Sequence, residues 1–493
     1  MNLYKRILAL ILSVIFILNL TACDSTDKAY VYFTLTEPPS TVDPQTAKTD
    51  TELMLVRNIF EGLLRKDENG KIVCGAAESF QKQGLTYTFN LKKDLVWSNE
   101  TPITAHDFVF GLKRAVDPKT AAPFADRLSV IKNATAIIKG KKGVNALGVK
   151  AVDKHTLKIE LASEDKNFEE TLTTSVAMPC NEAFFYSAAG KYGLEKETTL
   201  SNGSYRLAKW NKEIFGIRLY RNDFYKGEFR AKNAAVFLTL ADKLSPLEIL
   251  KENDADIAFI PASEIENAKQ LGLKTVSYNN ICWYLTVSDG FSKDIRKSLI
   301  SLATQQVFSK SITTGYYGAQ SIYPAIINDK AIQNGMPVYD LDNSKKLFVS
   351  AVEKLKDKKF PTDVILYYYD DGISKNVVTD IVGHWQNQLG AFVNIEAVSS
   401  PAVLTPQLSN QTYALTIFPL TANSPRAQEY LKSFGINYKG ESLAKIQTEL
   451  LNSKNIVPLM TQDTVIAYYD ELKNVKLTDD GGCIDFAYIV KDN

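Results

Sequence analysis

Alternation of apolar and polar positions marks the first recognisable elements of this chain. In "LTYTFNL", Leu85, Tyr87, Phe89 and Leu91 fall on one face with polar residues between them, the period of a half-buried strand. "TLKIEL" repeats the pattern with Leu157, Ile159 and Leu161. "TAHDFVFGLKRAV" changes to the helical period. Phe108, Leu112 and Ala115 share a face, Thr104 can cap it with Asp107 in the first turn, and Asp117-Pro118 stops it. Further on, "ILYYYDDG" reads as a strand running into a turn. Val377, Ile381, Trp385 and Leu389 then recur every four residues, with Val378 and Val382 beside them. Gly390 ends that helix and "AFVNIEAV" follows as a strand. Strand–helix–strand order predicts an α/β fold. No repeat, low-complexity tract or long linker interrupts it, so domains are expected to be joined by several crossings of the chain.

The amino-terminal pattern is different. Lys5 and Arg6 precede an apolar run, Ile7–Leu18, broken only by Ser13. This run is short for a membrane span and has the layout of a secretory leader. Its tail, Leu20-Thr21-Ala22-Cys23, resembles the lipobox of bacterial lipoproteins. That resemblance implies removal of residues 1–22, acylation of Cys23 and a protein tethered at the outer face of the cytoplasmic membrane. No later stretch is apolar for long enough to cross a bilayer.

Composition narrows the function classes. With 57 Lys+Arg against 56 Asp+Glu the net charge is +1, which gives no general attraction to nucleic acid. Besides Cys23 there are Cys74, Cys180, Cys282 and Cys483, without CxxC spacing; they allow three pairings between which the sequence does not choose, or four buried free thiols, since so large a core does not need disulfides. The three histidines, His106, His155 and His384, are far apart and no HExxH occurs, so no metal site and no cofactor are expected. The chain has no G-x-S-x-G, P-loop or G-x-G-x-x-G. A Cys282–His384 nucleophile and base would need tertiary proximity that nothing local supports.

Several stretches in order resemble the extracellular solute-binding proteins of family 5, the receptors of oligopeptide ABC importers. They are residues 40–80, 87–125 (with Trp97 to Arg114, Asp117-Pro118 and Pro123-Phe124), 148–161, 201–225, 294–312 and "IVPLM" at 456–460. The resemblance implies a two-lobed periplasmic-binding-protein-like fold of type II, with an additional domain in the first lobe and the ligand cleft between lobes. It places the first lobe in 23–57, 176–277 and 463–493, the additional domain in 58–175 and the second lobe in 278–462. It implies a monomer that closes over a small peptide or peptide-like solute and docks on ABC permease subunits, with no catalytic residue. A surface peptide or pheromone sensor without transport, and a tethered hydrolase, are the other readings.

The resemblance also selects candidate ligand-binding residues. Such receptors carry W-x-x-D-x-x-x-P, whose aspartate meets the peptide amine. Here the stretch is "FPLTANSP", with Phe418, Thr421 and Pro425 at those places and no acid between Thr412 and Gln428. An unpaired buried ammonium costs about 3–5 kcal/mol, so either Asp370, Asp371 or Glu429 replaces the acid, the ligand lacks a free amine, or binding is lost. The Tyr430–Val457 segment is also shorter than in the family. Glu37 lies in the segment matching the family's ligand-facing backbone. Asn280 and Trp283 lie where the chain enters the second lobe; Trp283 is equally expected in the core. Asp370-Asp371-Gly372 also has the composition of a simple turn, and Trp97 reads as structural.

Overall fold

The computed structural model describes residues 29–35, 37–212, 216–241, 244–327, 335–398, 413–436, 438, 440–453, 455–478 and 483–492. The leader and Cys23 lie outside the described residues.

The chain starts with β1 (Tyr30–Leu35) and α1 (Asp50–Ile59). A reciprocal capping box of Thr49 and Glu52 closes the α1 amino end, satisfying donors that the helix leaves open. An antiparallel sheet follows, built from β2 (Ala77–Gln83), β3 (Thr86–Leu91), β4 (Val149–Ala151) and β5 (Thr156–Glu160) in the order β2-β3-β5-β4. Tyr87, Phe89, Leu91, Leu157 and Ile159 are buried as the alternation predicts. Leu85 is exposed instead, because it sits with Gly84 (φ +58°) in the hairpin turn. Helix α2 (Ala105–Val116) covers this sheet, capped by Thr104 and Asp107 and ended at Asp117. Its Phe108, Leu112 and Ala115 are all in the core. Gly111 is required inside it, since a Cβ there would strike the Met178 carbonyl oxygen.

Strands β6 (Tyr205–Asn211), β7 (Gly216–Arg221), β8 (Ala235–Leu240) and β9 (Ile257–Ile260) then return to β1, which runs parallel to β8 and β9. The chain leaves through β10 (Lys274–Val287) and forms β11 (Tyr316–Gly318), α3 (Leu341–Val352), β12 (Ile365–Tyr369), α4 (Ser374–Leu389) and β13 (Asn394–Val398). It continues through β14 (Ala414–Thr421), α5 (Ala427–Lys432) and α6 (Leu443–Asn452), and comes back along β15 (Ile456–Tyr468). The predicted α4 and its Gly390 terminus are present. The strand after it is shorter than predicted. Gly390 and Ala391 donate to Gln386 and Trp385 to cap α4, so pairing starts only at Asn394.

One sheet runs through both halves in the order β13-β12-β14-β10-β15-β9-β1-β8-β7-β6, with β11 also on β15. β10 and β15 are its long central members. Lys274–Asn279 pair with Tyr468–Asp463 on the side of β9, and Ile281–Thr286 with Gln462–Ile456 on the side of β14. Between Asn279 and Ile281 the register slips, a bulge that bends and twists the pair. One hydrophobic core unites β1, α1, the β2–β5 sheet and β6–β8. A second packs Leu285, Val377, Trp385 and Ile417 together and reaches across the joint to Ala258, Ile260 and Ile265. A third lies on the other face of β10 and β14, around Tyr284, Tyr430 and Leu451. Cys180, Cys282 and Cys483 are buried and form no disulfide; Cys74 is only half-buried, on a strand paired with Leu64–Lys66.

Candidate functional site

The joint between the halves is pinned by Asn280, which occupies the bulge. Its carbonyl accepts from Ala422 N–H at 2.8 Å and its Oδ1 from Thr464 Oγ1 at 2.8 Å, tying β14's far end to β15. Its Nδ2 is buried without a partner. Trp283 is also 1% exposed, stacks on Tyr369 and donates to Gln462 Oε1 at 2.7 Å. As a ligand-contacting candidate Trp283 is therefore corrected: a ring enclosed by core has no face left for a solute.

Phe418 and Thr421 lie at the free end of β14. On one side β14 pairs with β10 as far as Thr421, but on the other it pairs with β12 only to Ile417. The edge from Phe418 to Thr421 is thus unpaired by β12, the kind of edge on which an extended segment can add as a strand. Ala422 donates inward to Asn280, so by alternation Thr421 and Pro419 turn their backbone groups outward. Pro419 has no N–H, so this edge offers two outward carbonyls but only the Thr421 N–H as an outward backbone donor. Phe418 is half-buried against Tyr284, and Thr421 is exposed.

The acids predicted as substitutes at Thr421 differ in how far the protein already uses them. Asp370 accepts from Gly372 N–H at 2.9 Å. Asp371 accepts from Tyr316 OH at 2.7 Å and from the N–H groups of Ile373 and Ser374 at 3.1 and 2.8 Å. Both therefore build the turn into α4, as the composition of that tripeptide also suggested. Glu429 is held by Arg127 Nη2 at 2.6 Å and Ser424 Oγ at 2.8 Å. As a spare partner for a ligand amine Asp371 is corrected, because both its oxygens already accept from the protein; Asp370 gives one oxygen to the turn, and Glu429 Oε1 is buried without a partner among the described residues.

Two carboxylates that sequence reasoning missed have less settled surroundings. Solvent reaches Asp50, yet protein crowds around it; that desolvation, with the charge of exposed Glu37, pushes its carboxyl up to about 6. In the sequence Asp50 is an ordinary first-turn helix acid, and only the fold brings Glu37 near it. Asp463 is buried at the joint and raised by desolvation, with Asn279 Nδ2 at 2.8 Å and Tyr317 OH at 3.1 Å. Those partners are neutral, whereas buried Asp43, Glu61 and Asp485 each meet an arginine.

The halves also meet through helix α5, a few residues beyond Ala422. Helix α5 faces the segment bearing Asp126, Arg127 and Asn167–Thr171. Arg127 pairs with Glu429, and Lys432 with Asp126. Arg426 donates to Thr171 Oγ1 at 2.9 Å and Asn167 O at 3.1 Å, with Glu170 at 4.0 Å. Burial lowers the Arg426 pKa, so its charge is held at a cost in hydration. The joint and this contact together keep the halves apposed. A 460 Å³ cavity lined by Ala303, Gln320, Tyr339 and Pro458, and a 590 Å³ one lined by Asp43, Phe110, Arg114 and Tyr192, each lie within one half and so are not the space between them.

Comparison with known proteins gives this geometry a lineage. The chain is 27% identical over 384 residues to the probable deoxycholate-binding periplasmic protein YgiS of Escherichia coli, covering 73% of this chain and 69% of that one. It is 26% identical over 444 residues to the oligopeptide-binding protein OppA of Bacillus subtilis, covering 83% and 81%. The fold matches the murein tripeptide binding protein MppA of Escherichia coli with a TM-score of 0.73 at 20% identity, covering 94% of this chain and 98% of that one. Against the unliganded open form of MppA the TM-score is 0.65 at 20% identity, with 94% and 97% covered. The model of the bacterial extracellular solute-binding proteins, family 5, matches residues 71–442, and with this match and the two-lobed fold the chain belongs to that family.

Proposed function

We propose that this is the lipid-anchored substrate-binding protein of an ABC importer, taking oligopeptides or a related solute between its lobes and presenting it to permease subunits. In this reading Cys23 carries the lipid, the protein works as a monomer on the outer face of the cytoplasmic membrane, and no covalent step is involved. The lobes comprise 23–57, 176–277 and 463–493 on one side and 278–462 on the other, with 58–175 as the additional domain. The observation that carries it is the β14 edge at Phe418–Thr421, unpaired by β12 and set beside the bulged joint. Glu37, Phe418 and Thr421 are the proposed lining, and Asn280, itself buried, is the residue that positions the edge. The named ligands of relatives, oligopeptide in one and deoxycholate in another, are compatible with a pocket whose amine-binding acid is replaced by Thr421.

Calorimetry with matched peptides tests it. N-acetylated peptides are expected to bind at least as tightly as free-amine ones, since Thr421 offers no charge. Absence of heat with both sets, and with deoxycholate, would reject the peptide-type pocket. Loss of solute uptake on deletion of the protein, restored by the wild type, separates import from sensing.

A further inference from the structure

The outer face of the first-lobe sheet is unlike a solvated sheet surface. Val31, Phe33, Ile217, Leu219, Val236 and Leu238 point inward to the core. A water-facing sheet fills the alternating positions with polar residues; here Thr34, Arg218 and Thr239 are polar, but Tyr30, Tyr32, Tyr220 and Phe237 are aromatic. The tyrosines are 39%, 41% and 36% exposed. They form one cluster: Phe237 lies 5.3 Å from Tyr30, 5.1 Å from Tyr32 and 6.5 Å from Tyr220, centre to centre. Cations ring it. Arg218 lies over Phe237 at 5.2 Å, Arg206 over Tyr220 at 5.7 Å and Lys491 over Tyr32 at 5.9 Å. Asp256 pairs with Lys491 at 2.9 Å and leaves the two arginines as the positive margin. β1 is moreover parallel to both its neighbours, and parallel strands are ordinarily covered on both faces.

We infer that this face rests on the anionic lipid surface to which the protein is tethered, orienting the lobes on the membrane. The inference rests on the lipid anchor at Cys23 proposed above. Tyr30, the first residue of β1, follows Cys23 by seven Cα steps, which span at most about 25 Å. An acylated Cys23 therefore confines this face close to the bilayer. Tyrosine rings with a polar tip and an apolar body are the side chains enriched at the membrane–water interface, and arginines beside them are drawn to anionic headgroups. Because the tether keeps the face at high effective concentration, a weak intrinsic affinity is enough to set orientation.

The test uses the chain from Asp24 onward, which keeps every described residue, with vesicles of phosphatidylcholine alone or with phosphatidylglycerol. Co-sedimentation is expected with the anionic vesicles at millimolar lipid and to weaken at high salt. Combined Tyr30→Ser, Tyr32→Ser and Tyr220→Ser should weaken it at least about tenfold, and Arg206→Gln with Arg218→Gln by a similar factor. Thermal melting checks that these surface variants are folded; a variant that unfolds is replaced by the other set. No binding by the wild type, equal binding by folded variants, or a patch that changes self-association but not vesicle binding would overturn the inference. Palmitate labelling of Cys23 is scored separately, so an unlabelled protein that still binds vesicles removes the anchor while leaving the face intact.

Discussion

Arg114 and Lys432 are both cations paired with an aspartate, yet their surroundings are opposite. Arg114 grips Asp43 through both guanidinium nitrogens at 3.1 and 2.7 Å, reaches Gln45 at 2.6 Å and lies 4.0 Å over Phe185. Those side chains are 8% and 5% exposed. Lys432 and Asp126, which meet across the lobes, are 68% and 59% exposed. The first pair has lost its water for good and holds only because each charge has its partner. The second exchanges one hydrated state for another and can part at little cost. The neighbouring Arg127–Glu429 pair is intermediate, 8% and 28% exposed. A receptor that must open needs permanent charge pairs inside its lobes and separable ones between them.

Removing one partner separates the two classes most sharply. Arg114→Ala is expected to destabilise the fold by about 3–5 kcal/mol in urea denaturation, because Asp43 stays buried without its cation. A loss below about 1 kcal/mol would erase the distinction. Changing Lys432 to Ala together with Arg127 should cost less, about 1 kcal/mol or a little more. Its main effect should be a larger radius of gyration in X-ray scattering as the lobes part. Raising salt should imitate the variant, and an unchanged radius in both would make the contact as permanent as Arg114's.

A smaller effect concerns the edge between the lobes. Pro419→Ala restores one backbone donor on β14, worth about 0.5–1.5 kcal/mol, or up to about tenfold tighter binding of extended peptides by calorimetry. Weaker binding would mean that the ring itself packs on the solute. The smallest effect is a pH slope. Asp50 is pushed up to about 6 in the folded protein, above its unfolded value, so the native state holds that proton more tightly. Its contribution is present below the unfolded pKa and lost as pH rises through about 6. Melting temperature should therefore fall slightly as pH rises from 3.8 to about 6, and Asp50→Asn should flatten that part of the profile.

Elements stabilised by their own neighbours were legible in the chain. The α2 face of Phe108, Leu112 and Ala115, its Thr104 cap, and the burial of Phe89 and Leu157 all follow from spacing. Spacing was silent where long-range pairing decides. The Asn280 bulge depends on β15, which arrives almost two hundred residues later. Glu429 could serve as a free acid by sequence, but Arg127, 302 residues earlier, pairs with one of its oxygens. Cys74 could be buried by composition, and the fold leaves it half-buried.

By itself, then, the amino-acid order determined the α/β elements, their caps and the inward face of each. The tertiary structure decided which residues share a site: Asn280 with Thr464, Asp50 with Glu37, Trp283 with the core and Glu429 with the opposite lobe. The reason is physical. Periodicity records whether one face of a segment avoids water, and adjacent residues suffice to express it. The partner waiting on that face is set by strand pairing and packing across long sequence separations, which local spacing does not encode.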